Sequence, residues 1–279
     1  MSQIPTNLSE SEFEVYVLPY LKTARRGFVS SIPLYKIFNY ILYKLHTGCQ
    51  WYKLPIERDV ENPERKEISY KSVHHHYSKW CKAGCFFRLW RSTILAVQHL
   101  LDLSEIKVDG THTVAKRGGG AVAYQGRKKA KTTNIIPFTD KNGYIIASTG
   151  LIAGNHNDNY NLKENLQSAF KFMKRLGLDI RGAYFNGDKA FDTKDARKTC
   201  FNHGLYPNIP ENKRNRKKPK RGRKRLHNKE VYKNRYVIER SFAWVDKFRS
   251  VLVRYDVREE HFLGANHLAF AMINLRSVL

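Results

Sequence analysis

Three acidic residues are the first candidates for chemistry in this sequence. Asp109 lies in VDGTHT, Asp188 in FNGDKAFD and Glu239 in NRYVIERSFAW. They stand in a chain with 50 Lys or Arg, 25 Asp or Glu and a formal net charge of +25. So large a positive excess points to a polyanionic partner, nucleic acid first and an anionic membrane second. A carboxylate facing a polyanion repels it unless a divalent cation stands between them. Mg²⁺ or Mn²⁺ takes hard oxygen ligands and accepts one or two carboxylates completed by water and phosphate. Two such ions, roughly 3.5–4 Å apart, can activate the attacking oxygen of a phosphodiester and stabilise the leaving one. Asp109, Asp188 and Glu239 are therefore the candidate metal ligands and catalytic residues.

Each acid has a plainer role to set beside that one. Asp109 precedes Gly110 and could simply form a turn. Asp188 could close an Asx turn in NGDK, and Asp192 beside it reads as the N-cap of the next helix. On a continuous helix at 100° per residue, Tyr232, Arg235 and Glu239 share one face, while Ile238, Val245 and Phe248 form an apolar side. That polar stripe could be a solvated, salt-bridged surface. His112, three residues beyond Asp109, would point away from it on an extended strand. His156 and Asp158 either line the site or serve a loop and a helix cap. Trp244 reads mainly as core.

These residues need elements to hold them. Residues 1–100 read as helical. Ser9 and Glu12 form a capping-box pattern, Ile37, Ile41 and Leu45 recur at helical spacing before Gly48, and a turn is expected at Ala83-Gly84. Short helices around a Gly-containing turn, with exposed Lys and Arg, suit a helix-turn-helix-like DNA-binding domain. From Ser104 the pattern becomes β-rich. IKVDGTHTVAK alternates, and Asp140-Lys141-Asn142-Gly143 joins two strands as a hairpin. A helix ending at Gly177, a strand before Asp188, a helix ending at Gly204, a strand in LYPNIP and the Glu239 helix follow. The expectation is a mixed α/β domain over 101–279 behind an all-helical domain over 1–100. GGGAVAYQGRKK lacks the phosphate-loop spacing and reads as a flexible basic hairpin loop.

Lys213 to Lys229 spans seventeen residues with eleven Lys or Arg and no acid. It reads as a basic loop at about 211–229 that grips DNA just before the Glu239 helix. Cys81-x3-Cys85 lies near His74, His75 and His76, but no second Cys pair or spaced His pair completes a zinc pattern, so buried thiols are the better reading. No run resembles a signal peptide, and no stretch of about eighteen apolar residues could span a bilayer. The expected setting is a reducing cytoplasm, in association with the nucleoid and without a membrane.

Taken in order, the segments resemble the DDE-class transposases of bacterial insertion sequences. YKNRYVIE fits the Y-x2-R-x3-E part of that signature, and ERSFAWVDKFR looks like the C-terminal motif of the family numbered five within the broader group numbered four. VDGTHT and GDKAFD resemble the segments that bear the first and second catalytic Asp. GLIAGNHNDNYNL is similar to the stretch between them, and YKLHTGCQWYKLP and YSKWCKAGCFFRLW to the N-terminal helical domain. The resemblance implies an RNase-H-like catalytic domain that cleaves transposon ends and joins them to target DNA. It implies Mg²⁺, with Mn²⁺ able to substitute, held by Asp109, Asp188 and Glu239. Tyr232, Arg235 and Lys247 would meet DNA. So would Lys213, Arg214, Arg216, Lys217, Lys218, Lys220, Arg221, Arg223, Lys224 and Arg225 in the basic loop. One departure stands out: the signature's later Lys falls at 246, which is Asp246 here, and Lys247 follows. On an ideal helix Asp246 shares the Glu239 face, and Lys247 lies about 80° away. The partners implied are terminal inverted repeats, target DNA and a second copy of the chain. Two other readings use the same residues: a transposase-derived DNA-binding protein without catalysis, and a metal-dependent nuclease.

Overall fold

The structure is a computed structural model that describes residues 3–23, 30, 32–212 and 227–279. In chain order its helices are α1 (Glu10–Tyr16), α2 (Leu34–Thr47), α3 (Tyr70–Lys82), α4 (Cys85–Ala96), α5 (Leu162–Arg175), α6 (Lys194–Asn202), α7 (Lys229–Lys233), α8 (Tyr236–Val245), α9 (Arg249–Leu252) and α10 (Glu259–Leu275). Its strands are β1 (Glu105–Val108), β2 (Thr111–Ala115), β3 (Ala123–Gln125), β4 (Ala130–Ile135), β5 (Pro137–Thr139), β6 (Ile145–Ser148), β7 (Ile152–Ala153), β8 (Tyr184–Asn186), β9 (Tyr206–Asn208) and β10 (Val253–Arg254). None of these helices is long and apolar enough to cross a membrane.

Two compact units form. One gathers residues 1–97, 113–120 and 244–279, and the other residues 98–112 and 121–243. This differs from the expected division at residue 100, because the C-terminal thirty-six residues group with the N-terminal helices. The reason is α10, in which every residue from His261 to Leu275 except the half-buried Leu263 is buried. A helix without a polar face must be enclosed on every side, and within this unit α3 and α4 pack on it. Gly264 permits the approach: a Cβ there would lie 2.6 Å from Cys81 Sγ and 3.3 Å from Phe86. Local signals hold as read. Ser9 and Glu12 form the capping box. Gly48 ends α2 and Gly84 sits between α3 and α4, both in the left-handed region at φ +69° and +65°.

In the second unit the main sheet runs β6-β5-β1-β8-β9. β6, β5 and β1 pair antiparallel, while β8 and β9 run parallel to β1. An antiparallel meander followed by two parallel strands, each reached through a helix, is the RNase-H-like arrangement. The expected hairpin is present between β5 and β6. Asp140 holds it, accepting from the backbone N–H groups of Tyr144 (2.8 Å) and Asp102 (2.9 Å). β3 and β4 form the basic hairpin around Gly126.

Gly264→Ala should destabilise the protein by about 1–2 kcal/mol, since overpacking costs more than the helix propensity gained. Urea unfolding followed by circular dichroism measures this. An unchanged midpoint would mean that the Cys81 sulfur moves aside freely.

Candidate active site

β1 leads directly into the first aspartate. Ile106 and Val108 of this strand are fully buried. Glu105 and Lys107 point the other way, and Asp109 follows at the strand's C-terminal end. The parallel pairing of β1 with β8 matches Lys107 with Asn186. Asp109 and Asp188 each lie two residues beyond that pair, so both leave the C-terminal edge of adjacent parallel strands. That edge is where open α/β sheets form their ligand sites.

Glu105 and Lys107 alternate with apolar residues along β1, and both are buried. Their side chains form an ion pair at 3.0 Å, held by charge rather than by an aligned hydrogen bond. Burial pushes the Lys107 ammonium down, and Glu105 pulls it back up. A row of buried polar side chains continues across the sheet. Asn186 on β8 donates weakly to Glu105 Oε2 (3.5 Å), and Asn208 on β9 donates to Asn186 Oδ1 (2.7 Å). Asn208 also accepts from the Asn228 N–H (2.8 Å) and donates to its carbonyl (3.0 Å). Asn228 in turn caps α7, accepting from the Val231 N–H.

The run from Tyr232 to Glu239 is not one helix. α7 stops at Lys233, α8 starts at Tyr236, and Asn234 and Arg235 form the corner between them. The assumption of a single continuous helix is therefore corrected. Asn234 explains the break: its side chain donates to Glu105 Oε1 (3.0 Å), which turns the chain toward the sheet. Further along α8, Ser241 Oγ and Arg240 Nη2 donate to the carbonyls of Gly143 and Asn142 in the β5–β6 hairpin, both at 3.1 Å.

The corner delivers Arg235 to the acids. Its Nη2 donates to Asp109 Oδ2 at 2.5 Å, and its Nη1 to Glu239 Oε1 at 3.2 Å. Glu239 is otherwise exposed. Asp188 accepts from the Ala190 N–H at 2.7 Å, so the Asx-type turn exists alongside any other role. Asp109 accepts from its neighbour, the Gly110 N–H (3.0 Å). Burial pushes the Asp109 carboxyl up to about 6, Arg235 opposes this, and the charges of Asp188 and Asp158 add to it. Tyr232 is half-buried, and its phenol is raised first by burial. Arg235 lowers it, and Asp188, Asp109 and Glu239 raise it. Five sequence-predicted residues, Asp109, Asp188, Tyr232, Arg235 and Glu239, thus share one electrostatic neighbourhood.

Other expectations fare differently. Asp192 does not cap α6; Thr193 does, accepting from the Ala196 N–H, while Asp192 pairs with the buried Arg197 at 2.9 Å. A hydroxyl one residue later reaches the N–H, leaving the carboxylate free for the guanidinium. α8 ends at Val245, so Asp246 and Lys247 lie beyond its last turn and share no helical face with Glu239. Both are exposed and belong to the first unit. Trp244 is only half-buried, with the Arg276 guanidinium 4.2 Å over its ring. Lys213, Arg214, Arg216, Lys217, Lys218, Lys220, Arg221, Arg223, Lys224 and Arg225 lie outside the described residues.

Asp158 is the residue that the sequence left undecided and the fold brings in. It accepts from Asn134 Nδ2 (2.8 Å) and lies 4.0 Å from His112 Nε2. A Cβ on Gly110 would meet its carboxylate at 2.0 Å, so any other residue there would displace the Asp158 side chain. Glu105 and Asn234 also position the site, and sequence reasoning missed both. The one signal for their polar row is asparagine at matching ends of two short strands, where β-propensity disfavours it.

The family described as transposase DDE domain matches residues 100–275. One solved structure that matches is the Mos1 transposase paired-end complex with left transposon end. It is 11% identical, with 89% of this chain and 79% of that chain covered and a TM-score of 0.30. No curated protein matches.

Asn234→Ala should cost about 1–3 kcal/mol, because it leaves a buried carboxylate oxygen of Glu105 unpaired. Lys233→Ala, next door in an exposed pair with Glu230, should leave the denaturant midpoint unchanged. Equal midpoints for the two variants would contradict the anchoring role of Asn234.

Proposed function

The chain belongs to the transposase DDE domain family, and on that footing we propose that it cleaves the ends of a mobile DNA element and joins them to target DNA. The carrying observation is the Asp109–Arg235–Glu239 bridge, with Asp188 and Tyr232 in the same field. In this reading Asp109, Asp188 and Glu239 are the catalytic acids. Two ends joined to one target call for two catalytic units, so a homodimer on double-stranded DNA is the assembly proposed.

A divalent cation fits the donor set in part. Among the described residues no three His, Cys, Asp or Glu side chains stand close enough to hold a metal ion. Two carboxylates suffice for Mg²⁺ when waters and substrate phosphate complete its shell. Asp109, raised by burial and by two neighbouring acids, sits where positive charge is in deficit. Asp109 and Asp188 would hold Mg²⁺ or Mn²⁺, with Glu239 joining once Arg235 turns to DNA. When bound, such an ion supplies charge neutralisation at the scissile phosphate. Arg235 keeps Asp109 and Glu239 compensated until then, and its planar fork suits a phosphate equally well. Tyr232 presents a phenol O–H to the same phosphate. Lys247 and the basic residues between 213 and 225 would position the backbone.

Incubated with DNA carrying the element's own ends, wild type should cut in Mg²⁺ and not in EDTA. Glu239→Gln should bind those ends but cut at least about a hundredfold more slowly, on the order of what removing one transition-state charge interaction costs. Binding without cleavage by wild type, in Mg²⁺ and Mn²⁺, would favour the non-catalytic binder. Cleavage without joining to a supercoiled target would favour the nuclease.

Stability against pH gives a second test. The folded Asp109 keeps its proton up to about pH 6, whereas the unfolded carboxyl loses it near 3.8. Between these values the folded state binds more protons, so metal-free stability falls as pH rises, by up to about 3 kcal/mol. Asp140, also raised to about 6 by burial, adds in the same window. Mg²⁺ should therefore raise Tm at pH 7 in wild type and not in Asp109→Asn. Equal shifts in both proteins would remove Asp109 from the metal site.

A further inference from the structure

Away from the acids, a surface pocket of about 390 Å³ in the first unit is lined by Lys22, His75, Ser78, Lys79, Lys82 and Ala83. Its composition follows from the periodicity of α3. Val73, Tyr77, Trp80 and Cys81 are buried on one side. Lys71, His75, Lys79 and Lys82 recur on the other at spacings of four, four and three. α3 contains no Asp or Glu. Lys22 arrives from a separate segment that is pinned in place. Its backbone N–H donates to the buried Cys85 Sγ at 3.3 Å. Arg88 on α4 spans the same corner, donating to the carbonyls of Ala83 (2.7 Å) and Tyr20 (3.4 Å).

Gathering lysines costs Coulomb energy, and no carboxylate among the described residues pairs with them to offset it. Among the described residues Lys22, Lys79 and Lys82 have no carboxylate partner. Lys36 on α2, by contrast, is held by Glu57 and Glu67, both at 2.8 Å. The positive field reaches His76, whose imidazole is held below its usual range first by burial and then by Lys79 and His75. Unpaired ammonium groups around a concavity are suited to anionic oxygens. Each is a strongly hydrated point charge that binds phosphate without demanding a fixed geometry.

We propose that this face of α3, joined by Lys22, is a contact for the phosphate backbone of double-stranded DNA. It is the first helix of the helix-turn-helix-like pair that makes the contact. α4 offers less to a polyanion: its exposed residues are Phe87, Arg88, Arg91 and Leu95, and the Arg88 guanidinium is turned back to the Ala83 and Tyr20 carbonyls. The contact is to backbone and carries no base sequence. The inference takes the nature of the polyanion from the transposase reading but does not need strand cleavage.

The test uses the full chain, a fluorescein-labelled DNA duplex of random sequence, and anisotropy titrations at several salt concentrations. Lys79→Ala/Lys82→Ala should weaken binding about tenfold or more near 0.1 M salt. It should make the plot of log K against log salt shallower by about two, near one for each phosphate no longer neutralised. Lys79→Arg/Lys82→Arg should keep both values near wild type. Arg181→Ala, which removes one cation from the exposed Arg181–Asp179 pair, should leave both alone. Thermal melts check that each variant folds. An unchanged slope in the alanine pair, an equal loss in Arg181→Ala, or tighter binding of wild type to phosphatidylserine vesicles than to DNA would each overturn the proposal. Absence of cleavage by wild type with the slope change intact would count against the catalytic reading alone.

Discussion

A carboxylate taken out of water has to be compensated, and in this protein that rule acts most strongly at Glu105. Desolvating an ion costs several kcal/mol, and removing its partner from a buried pair costs about 3–5 kcal/mol. Glu105 lies 3.0 Å from the equally buried Lys107, and its other oxygen receives the Asn234 amide. The Asn186 and Asn208 side chains extend the same polar row over β8 and β9. Because these bonds are made inside the unit, they tolerate little slippage: a one-residue shift of β1 would turn Lys107 and Glu105 to the opposite face. The register that aligns Asp109 with Asp188 and the corner that presents Arg235 therefore share one electrostatic origin.

At the rim the balance is different. Asp109 is compensated by Arg235 yet still held near 6, because burial and two neighbouring acids outweigh one guanidinium. A site arranged for stability alone would not keep Asp188 and Asp158 beside it. Clusters of this kind mark positions where the folded state has been left short of positive charge, and perturbed titration in a cleft is a functional signal in its own right. The same guanidinium that compensates the acids in the absence of ligand has the geometry to grip a phosphate. In the proposed reading, compensation without DNA and recognition with it are two uses of one side chain.

Much of this was legible from residue order. Caps at Ser9, stops at Gly48 and Gly204, the Asp140–Gly143 hairpin and the two strand-end aspartates all rest on local rules that tertiary structure seldom overrides. The failures share a cause. Alternation in IKVDGTHTVAK marks a strand, but periodicity does not say that the Glu105 and Lys107 face is buried against asparagines from distant segments. The corner at Asn234 is set by Glu105, 129 residues away in sequence, so no window on the helix contains its cause. The grouping of residues 244–279 with the N-terminal helices is likewise a packing outcome, driven by a helix with no polar side. Asp192 went to Arg197 because a threonine one position later filled the cap first.

Net charge is a weaker guide to binding than the disposition of individual cations. Lys107 is consumed inside the sheet, Lys36 is neutralised by two glutamates, and Arg197 is spent on Asp192 and on the carbonyls of Pro207 and Ile209. Such residues add to the total of 50 but release no counterions, since their fields end on partners within the chain. Lys79 and Lys82 differ because the α3 face they occupy contains no acid. Counterion release requires charge that water and salt still screen before the ligand arrives. The cations that can meet a polyanion are therefore those for which the fold supplies concavity but no carboxylate, and a helix face written wholly in Lys, His and Ser is how a sequence encodes that.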